Sequence, residues 1–361
     1  MLFTKAIKLC SCACLLGAVL LTGCANKNEP APVPETVFSA RVETDSSSGH
    51  TVVVLSRSGP HRLEAKISPT AGANLFSLVY QGRELLLGPS SLAGFDGSRF
   101  GTPVLYPTPC RLVGGKFTFE GRTYDFGAND GDRWLHGLVR SESWQFEPPS
   151  ADDSEARLVC RIDFKPGGAL HKKFGFDHRL SLEFSLDEKG LRIAYEVDNR
   201  DSLNLPYGFG LHPYFTFEGL ERRDIFLCVP AGAHMELDSA IPTGRLEKLE
   251  GSGYDLRRPR SFDDFEGDDV WLGMKPERPA YLEYRKAGIK LTLAASQEFT
   301  HMIVYALKEN PFACVENMTC PPDVQNLYAK GFEEEAHLLI VPPGGKHSGW
   351  VRYDIEPLEG R

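Results

Sequence analysis

Several common catalytic signatures are missing from this 361-residue sequence. It has no Gly-rich phosphate loop, no dinucleotide fingerprint and no nucleophile elbow. Phosphoryl transfer, nicotinamide redox chemistry and serine-esterase chemistry therefore lose their usual sequence support. No Cys-x-x-Cys or Cys/His cluster has zinc spacing. Basic residues are in deficit, with Lys and Arg numbering 40 against 49 Asp and Glu, for a net charge of −9. No basic patch of the kind phosphate backbones require is present, so nucleic acid is excluded as a partner. Long apolar runs are confined to the front, and amphipathic helical windows are scarce.

That front reads as an address. Lys5 and Lys8 precede a short apolar run, Leu9 to Leu21, below the ~20 residues a spanning helix needs. It ends in Leu21-Thr22-Gly23-Cys24, which resembles the bacterial lipoprotein signal, cut before the cysteine and lipidated on it. Residues 1–23 are then a signal peptide. Residues 24–36 are the lipidated Cys24 and a polar, proline-containing tether. Residues 37–361 form the body. Two or more acyl chains, at about 0.8 kcal/mol per buried CH₂, would hold that body on a membrane. The expected location is the cell envelope, at the periplasmic face of an outer membrane or at the cell surface, with the body a monomer.

Nine cysteines reduce to five once Cys10, Cys12, Cys14 and Cys24 are set aside. Cys110, Cys160, Cys228, Cys314 and Cys320 are an odd number, so at least one stays unpaired in an oxidising compartment. Only Cys314 and Cys320 are close in sequence, and spacing alone does not say whether they bridge.

The body alternates. Leu180, Leu182, Phe184 and Leu186 interleave with polar or small residues, as do Leu191, Ile193, Tyr195 and Val197. Strict alternation marks strands with one buried face. The turn Asp187-Glu188-Lys189-Gly190 joins them as a hairpin, with Gly190 free to take positive φ. Further strands are expected at residues 51–57, 75–80, 116–119, 157–164, 281–284, 289–294, 302–307, 338–341 and 350–355. Many short strands with frequent turns predict an all-β antiparallel sandwich or barrel.

The most informative stretch is Gly210-Leu211-His212-Pro213-Tyr214-Phe215. It interrupts a strand-like run with a proline that cannot donate to a ladder, which predicts a sheet edge or bulge. His212 would then be aimed into a cleft among aromatic walls; the same pattern also suits a satisfied core histidine. Arg111 follows a proline-stiffened segment and could present a fixed donor fork. His136 precedes Gly137, where a ligand could approach closely. Asp268 and Asp269 are adjacent carboxylates beside Trp271, a pattern shared with solvated acidic turns. Glu316 ends an apolar strand, where a charge is costly unless it is paired or faces a cleft. Together these supply an acid, a base, hydrogen-bonding helpers and aromatic faces, a kit for proton transfer on a neutral polyol.

With those residues in that order, the chain resembles the aldose 1-epimerase (galactose mutarotase) family. The resemblance runs from Ala71-Gly72-Ala73-Asn74-Leu75 through His136-Gly137, His212-Pro213-Tyr214-Phe215 and Asp268-Asp269 to Cys314-Val315-Glu316. It implies a large antiparallel β-supersandwich. It implies Glu316 as general base on the anomeric hydroxyl and His212 as general acid on the ring oxygen. Arg111, His136 and Asp268, with Asp269 its rival, would hold the sugar's oxygens, and neither cofactor nor metal is called for. Two departures bear on substrate. Asn317 follows Glu316 where many members have proline, and the Arg111 segment also resembles hexose-6-phosphate epimerases. The implied activity is anomer exchange on free hexoses. The alternatives are a hexose-6-phosphate 1-epimerase and a carbohydrate-binding lipoprotein without turnover.

Overall fold

The computed structural model describes residues 36–358. The signal peptide, Cys24 and nearly all of the tether lie outside the described residues. None of the described helices is long and apolar enough to cross a membrane.

Three antiparallel sheets of five, ten and eight strands make up most of the body, with three two-stranded ribbons. The ten-stranded sheet contains the alternating pair, His178–Leu186 and Gly190–Asn199, followed by Lys346–Pro357 and Ile289–Ala295. Leu180, Leu182, Phe184, Leu191, Ile193 and Val197 are buried in one core. Arg179, Ser181, Glu183, Arg192 and Glu196 stand on the opposite, wetter face, as a period of two requires. Gly190 at the hairpin takes the expected positive φ, +158. A Cβ there would sit 1.9 Å from the Tyr353 carbonyl oxygen, so close packing excludes any side chain.

The strands expected at residues 51–57 and 116–119 have those bounds, and the others differ by a few residues at their ends. The run around His212 differs more. It breaks into Leu205–Tyr207, Gly210–Leu211 and Tyr214–Thr216. Of the expected edge or bulge, the edge is corrected. The segment has neighbours on both sides, Phe312–Met318 on one and Val104–Leu105 on the other. The backbone stays bonded through the break, because His212 N donates to Pro103 O (3.1 Å) and Tyr214 N to Gly101 O (2.8 Å). Proline costs little in this interior position because the residues flanking it carry the ladder.

The five described cysteines are all buried free thiols, and Cys314 and Cys320 do not bridge.

Candidate active site

Strand register builds the site. In the eight-stranded sheet, Val270 stands opposite Ile303, and Ile303 opposite Glu316. One row away, Asp268 faces Tyr305, Tyr305 faces Cys314, and Cys314 faces Tyr214. Gly210 pairs with Met318 and Tyr214 with Cys314, so the same antiparallel register brings His212 opposite Glu316 across the break at Pro213. Cross-strand partners share a face. Ala313 and Val315 point into the core, while Cys314 and Glu316 point the other way.

That other face is the floor of a cavity of about 590 Å³. Its size lies within the roughly 300–1,000 Å³ of small-molecule sites. His212 Nε2 lies 3.2 Å from Glu316 Oε1, and Glu316 is only 2% exposed. Glu316 Oε2 and His212 Nδ1 are buried without hydrogen-bond partners. Tyr214 stacks on the His212 ring at 4.9 Å, and the His136 ring meets it edge-on at 5.0 Å. Burial and nearby Asp268 push the Glu316 carboxyl well above the usual carboxylate range, with Arg111 opposing. Burial pushes His212 down to about 4. Both shifts favour uncharged forms. Between those two shifts the pair carries one titratable proton.

Backbone strain aims the second histidine. His136 has φ +68 and Gly137 also has φ +68. A Cβ on Gly137 would lie 2.2 Å from the Tyr106 carbonyl oxygen, so only glycine fits. A histidine in this region costs about 1–3 kcal/mol, which its surroundings must offset. His136 N donates to Cys110 O at 2.8 Å, and Leu135 pairs with Arg111, so His136 and Arg111 enter the cavity side by side. Burial, with His212 next, drives His136 well below its usual value, so it works as a neutral imidazole. Arg111 lies 3.6 Å from Asp130 and 3.9 Å from Asp268. Burial raises the Asp268 carboxyl despite that arginine.

The structure therefore brings together Arg111, His136, His212, Asp268 and Glu316. It does not bring in Asp269, which is corrected here. Neighbouring residues on a strand face opposite ways, and Asp269 points out of the cavity to His234 Nε2 at 3.1 Å. His234 is in turn held by Glu247 (2.9 Å) and stacked on Tyr254 (3.7 Å). Sequence reasoning missed Arg99, Arg140, Asn129 and Asp130, which also line the cavity. Arg140 stands three residues after Gly137 in the same turn-rich stretch, which was the available signal. Arg99 sits in a Gly/Ser-rich loop and offered none.

A large antiparallel β body with a buried imidazole–carboxylate pair under a cavity of about 590 Å³ defines the structural class. Within it, the family model described as Aldose 1-epimerase matches residues 53–354, and the chain belongs to that family. The Escherichia coli K12 protein YihR is 22% identical over 283 residues, spanning 77% of this chain and 86% of YihR. Galactose mutarotase of Sus scrofa is 27% identical over 156 residues, 41% of this chain and 43% of the pig protein. The matched stretch is thus less than half the length of that enzyme. The crystal structure of a galactose mutarotase-like protein from Clostridium acetobutylicum superposes with a TM-score of 0.80 at 22% identity, covering 89% of this chain and 99% of that one. That likeness establishes the galactose mutarotase-like fold.

Proposed function

We propose that this chain is a mutarotase that interconverts the α and β anomers of free hexoses. The observation that carries this reading is the 3.2 Å contact between His212 Nε2 and Glu316 Oε1 on a cavity floor. The anomeric hydroxyl and the ring oxygen are bonded to the same carbon, so the groups serving them must both reach that one centre. Glu316 takes the hydroxyl proton while His212 gives one to the ring oxygen. The bond from C1 to the ring oxygen breaks and an aldehyde forms. Rotation about C1–C2 and closure on the other face return both protons. Ring opening turns the charged pair into the neutral pair, the form that burial favours. Each group contributes roughly 10²–10⁴ in rate when correctly placed. His136, Arg111 and Asp268 hold the sugar's other oxygens.

Exchange NMR or decay of optical rotation on fresh α-glucose and α-galactose tests this. Acceleration abolished by Glu316→Gln is expected. Saturable sugar binding without acceleration would favour a carbohydrate-binding role instead.

One observation favours a second reading, an anionic hexose such as a hexose 6-phosphate. Arg99 and Arg140 line the cavity, and neither has a carboxylate within ion-pair distance among the described residues. Arg140 donates to the Ser98 carbonyl (3.2 Å), and Asp96 offsets its charge from beyond ion-pair distance. Guanidinium groups bind phosphate oxygens well. Comparing exchange rates for glucose and its 6-phosphate separates the two.

We further propose that Cys24 is lipidated and tethers residues 37–361 to the cell envelope. Membrane sedimentation of the wild type, lost in Cys24→Ala, is the expected result.

A further inference from the structure

The acid–base pair has a third neighbour that the proposed reaction does not use. Cys314 stands two residues before Glu316 on the Phe312–Met318 strand and so shares its face. One ligating atom from each of His212, Cys314 and Glu316 lies within 4.8 Å of the others, and all three residues are buried. None of these donors is committed elsewhere. Cys314 is a free thiol, and both His212 Nδ1 and Glu316 Oε2 lack hydrogen-bond partners.

We propose that this triad is a binding site for a thiophilic divalent cation of the Zn²⁺ class, and that occupancy shuts the enzyme off. Zinc bonds to Cys, His and carboxylate ligands run about 2.0–2.3 Å, so donors on one tetrahedral ion sit about 3.3–3.8 Å apart. The three donors, within 4.8 Å of one another, must close in by about an ångström on binding. One sulfur, one imidazole nitrogen and one carboxylate form the mixed soft and borderline set that suits Zn²⁺ and rejects Mg²⁺ and Ca²⁺. Thiolate and carboxylate together balance the ion's two charges. Three protein ligands leave a fourth position on the cavity side, where water completes a tetrahedron. Binding releases both the Cys314 thiol proton and the titratable proton of the His212–Glu316 pair to solvent, and ties up both His212 and Glu316. The register that makes the catalytic pair also makes the trap, because Cys314 is fixed one row from Glu316. Sequence spacing concealed it, since His212 and Cys314 lie far apart along the chain.

This inference shares the cavity with the proposed mutarotase activity but is tested without turnover. The purified full chain is titrated with Co²⁺. The expected result is a thiolate-to-cobalt charge-transfer band in the near ultraviolet at one ion per chain, bleached by Zn²⁺ and removed by EDTA. Cys314→Ser is expected to lose the band, whereas Cys110→Ser, altering another thiol on the cavity wall, is expected to keep it. Glu316→Gln and His212→Asn should each weaken Co²⁺ binding at least tenfold. These variants keep the test open if Cys314→Ser fails to fold. In exchange NMR, Zn²⁺ should inhibit the wild type reversibly. Cys314→Ser should keep its metal-free rate within twofold and require at least tenfold more Zn²⁺ for half-inhibition. Absence of the band in the wild type overturns the proposal. So does a band that survives Cys314→Ser or disappears with Cys110→Ser. A chain that shows the band without anomer exchange would overturn the mutarotase reading and leave the metal site standing.

Discussion

Two hollows lie on the outer faces of the two largest sheets, and they differ in kind. The larger, about 960 Å³, runs over the wet face of the ten-stranded sheet. The smaller, about 590 Å³, covers His212 and Glu316. Most charges in the larger hollow are matched. Arg157 pairs with Glu183, Arg161 with Glu147, Arg179 with Asp163, Arg200 with Asp198 and Lys346 with Glu196. Arg192 lies over the Trp350 ring. In the smaller hollow, a carboxylate oxygen and two imidazole nitrogens are buried without partners, and Arg99 and Arg140 have no carboxylate within ion-pair distance among the described residues. A solvated sheet face satisfies itself. A site that must bind something else cannot, and ionisable groups left unpaired at a cost in stability, gathered in one cavity, point to binding. Volume alone would have chosen the wrong hollow.

The sharpest way to break this comparison is to exchange the chemistry of each. Glu316→Gln keeps the shape and removes the base, so the rate should fall by about 10²–10⁴. Arg192→Ala with Trp350→Ala in the larger hollow should leave the rate within twofold. Comparable losses from both would show that the matched face takes part in turnover. Stability should move the other way at the site. A carboxyl whose folded pKa is raised loses stability as pH rises through that value. Glu316→Gln should therefore melt higher than the wild type under alkaline conditions in a thermal scan.

The pH profile is the next largest effect. On the acid side the pair takes a second proton when His212 charges, near pH 4. On the alkaline side it loses its only proton, well above the ordinary glutamate range, because burial raises Glu316. The profile of kcat/KM should be a bell with a broad top through neutrality. An acid limb near pH 6.5 would mean that His212 is solvated and the cavity more open than its burial indicates.

Much of this was legible in the sequence, for a physical reason. Period-two alternation reports a strand with one wet face directly, so His178–Leu186 and Gly190–Asn199 were readable. His212 and Glu316 stood out because polar groups in apolar strands are rare enough to demand explanation. Asp268 and Asp269 could not be separated, since adjacency gives opposite faces without saying which face is the cavity. Pro213 pointed to an edge because the carbonyls of Gly101 and Pro103, which accept from the residues flanking it, are remote in sequence. Cys314 was read for bridging to Cys320, and its role beside Glu316 needed the cross-strand register.

Substrate charge offers an intermediate effect. If the Arg99 and Arg140 guanidinium groups bind a phosphate, Arg140→Gln should raise KM for glucose 6-phosphate about tenfold or more. Charge-assisted hydrogen bonds contribute roughly 1.5–3 kcal/mol each. KM for glucose should change little, and Arg99→Gln should follow the same pattern more weakly because Arg99 is exposed. Equal changes for both sugars in steady-state kinetics would assign these arginines to the hexose hydroxyls and remove the second reading.

The smallest effect tests the other half of the comparison, that the larger hollow is merely a satisfied surface. Arg161 and Glu147 are 2.6 Å apart, but their side chains are 38% and 47% exposed. At that exposure the ion pair trades hydration for attraction almost evenly, and salt screens what remains. A double-mutant cycle by denaturant unfolding, using Arg161→Met and Glu147→Gln, should give a coupling of about 0.2–1 kcal/mol that shrinks in high salt. A coupling of several kcal/mol would mean that the pair is desolvated in solution, as happens when another molecule covers it. The larger hollow would then be an interface, and matched charges would have to be read as complementarity to an absent partner.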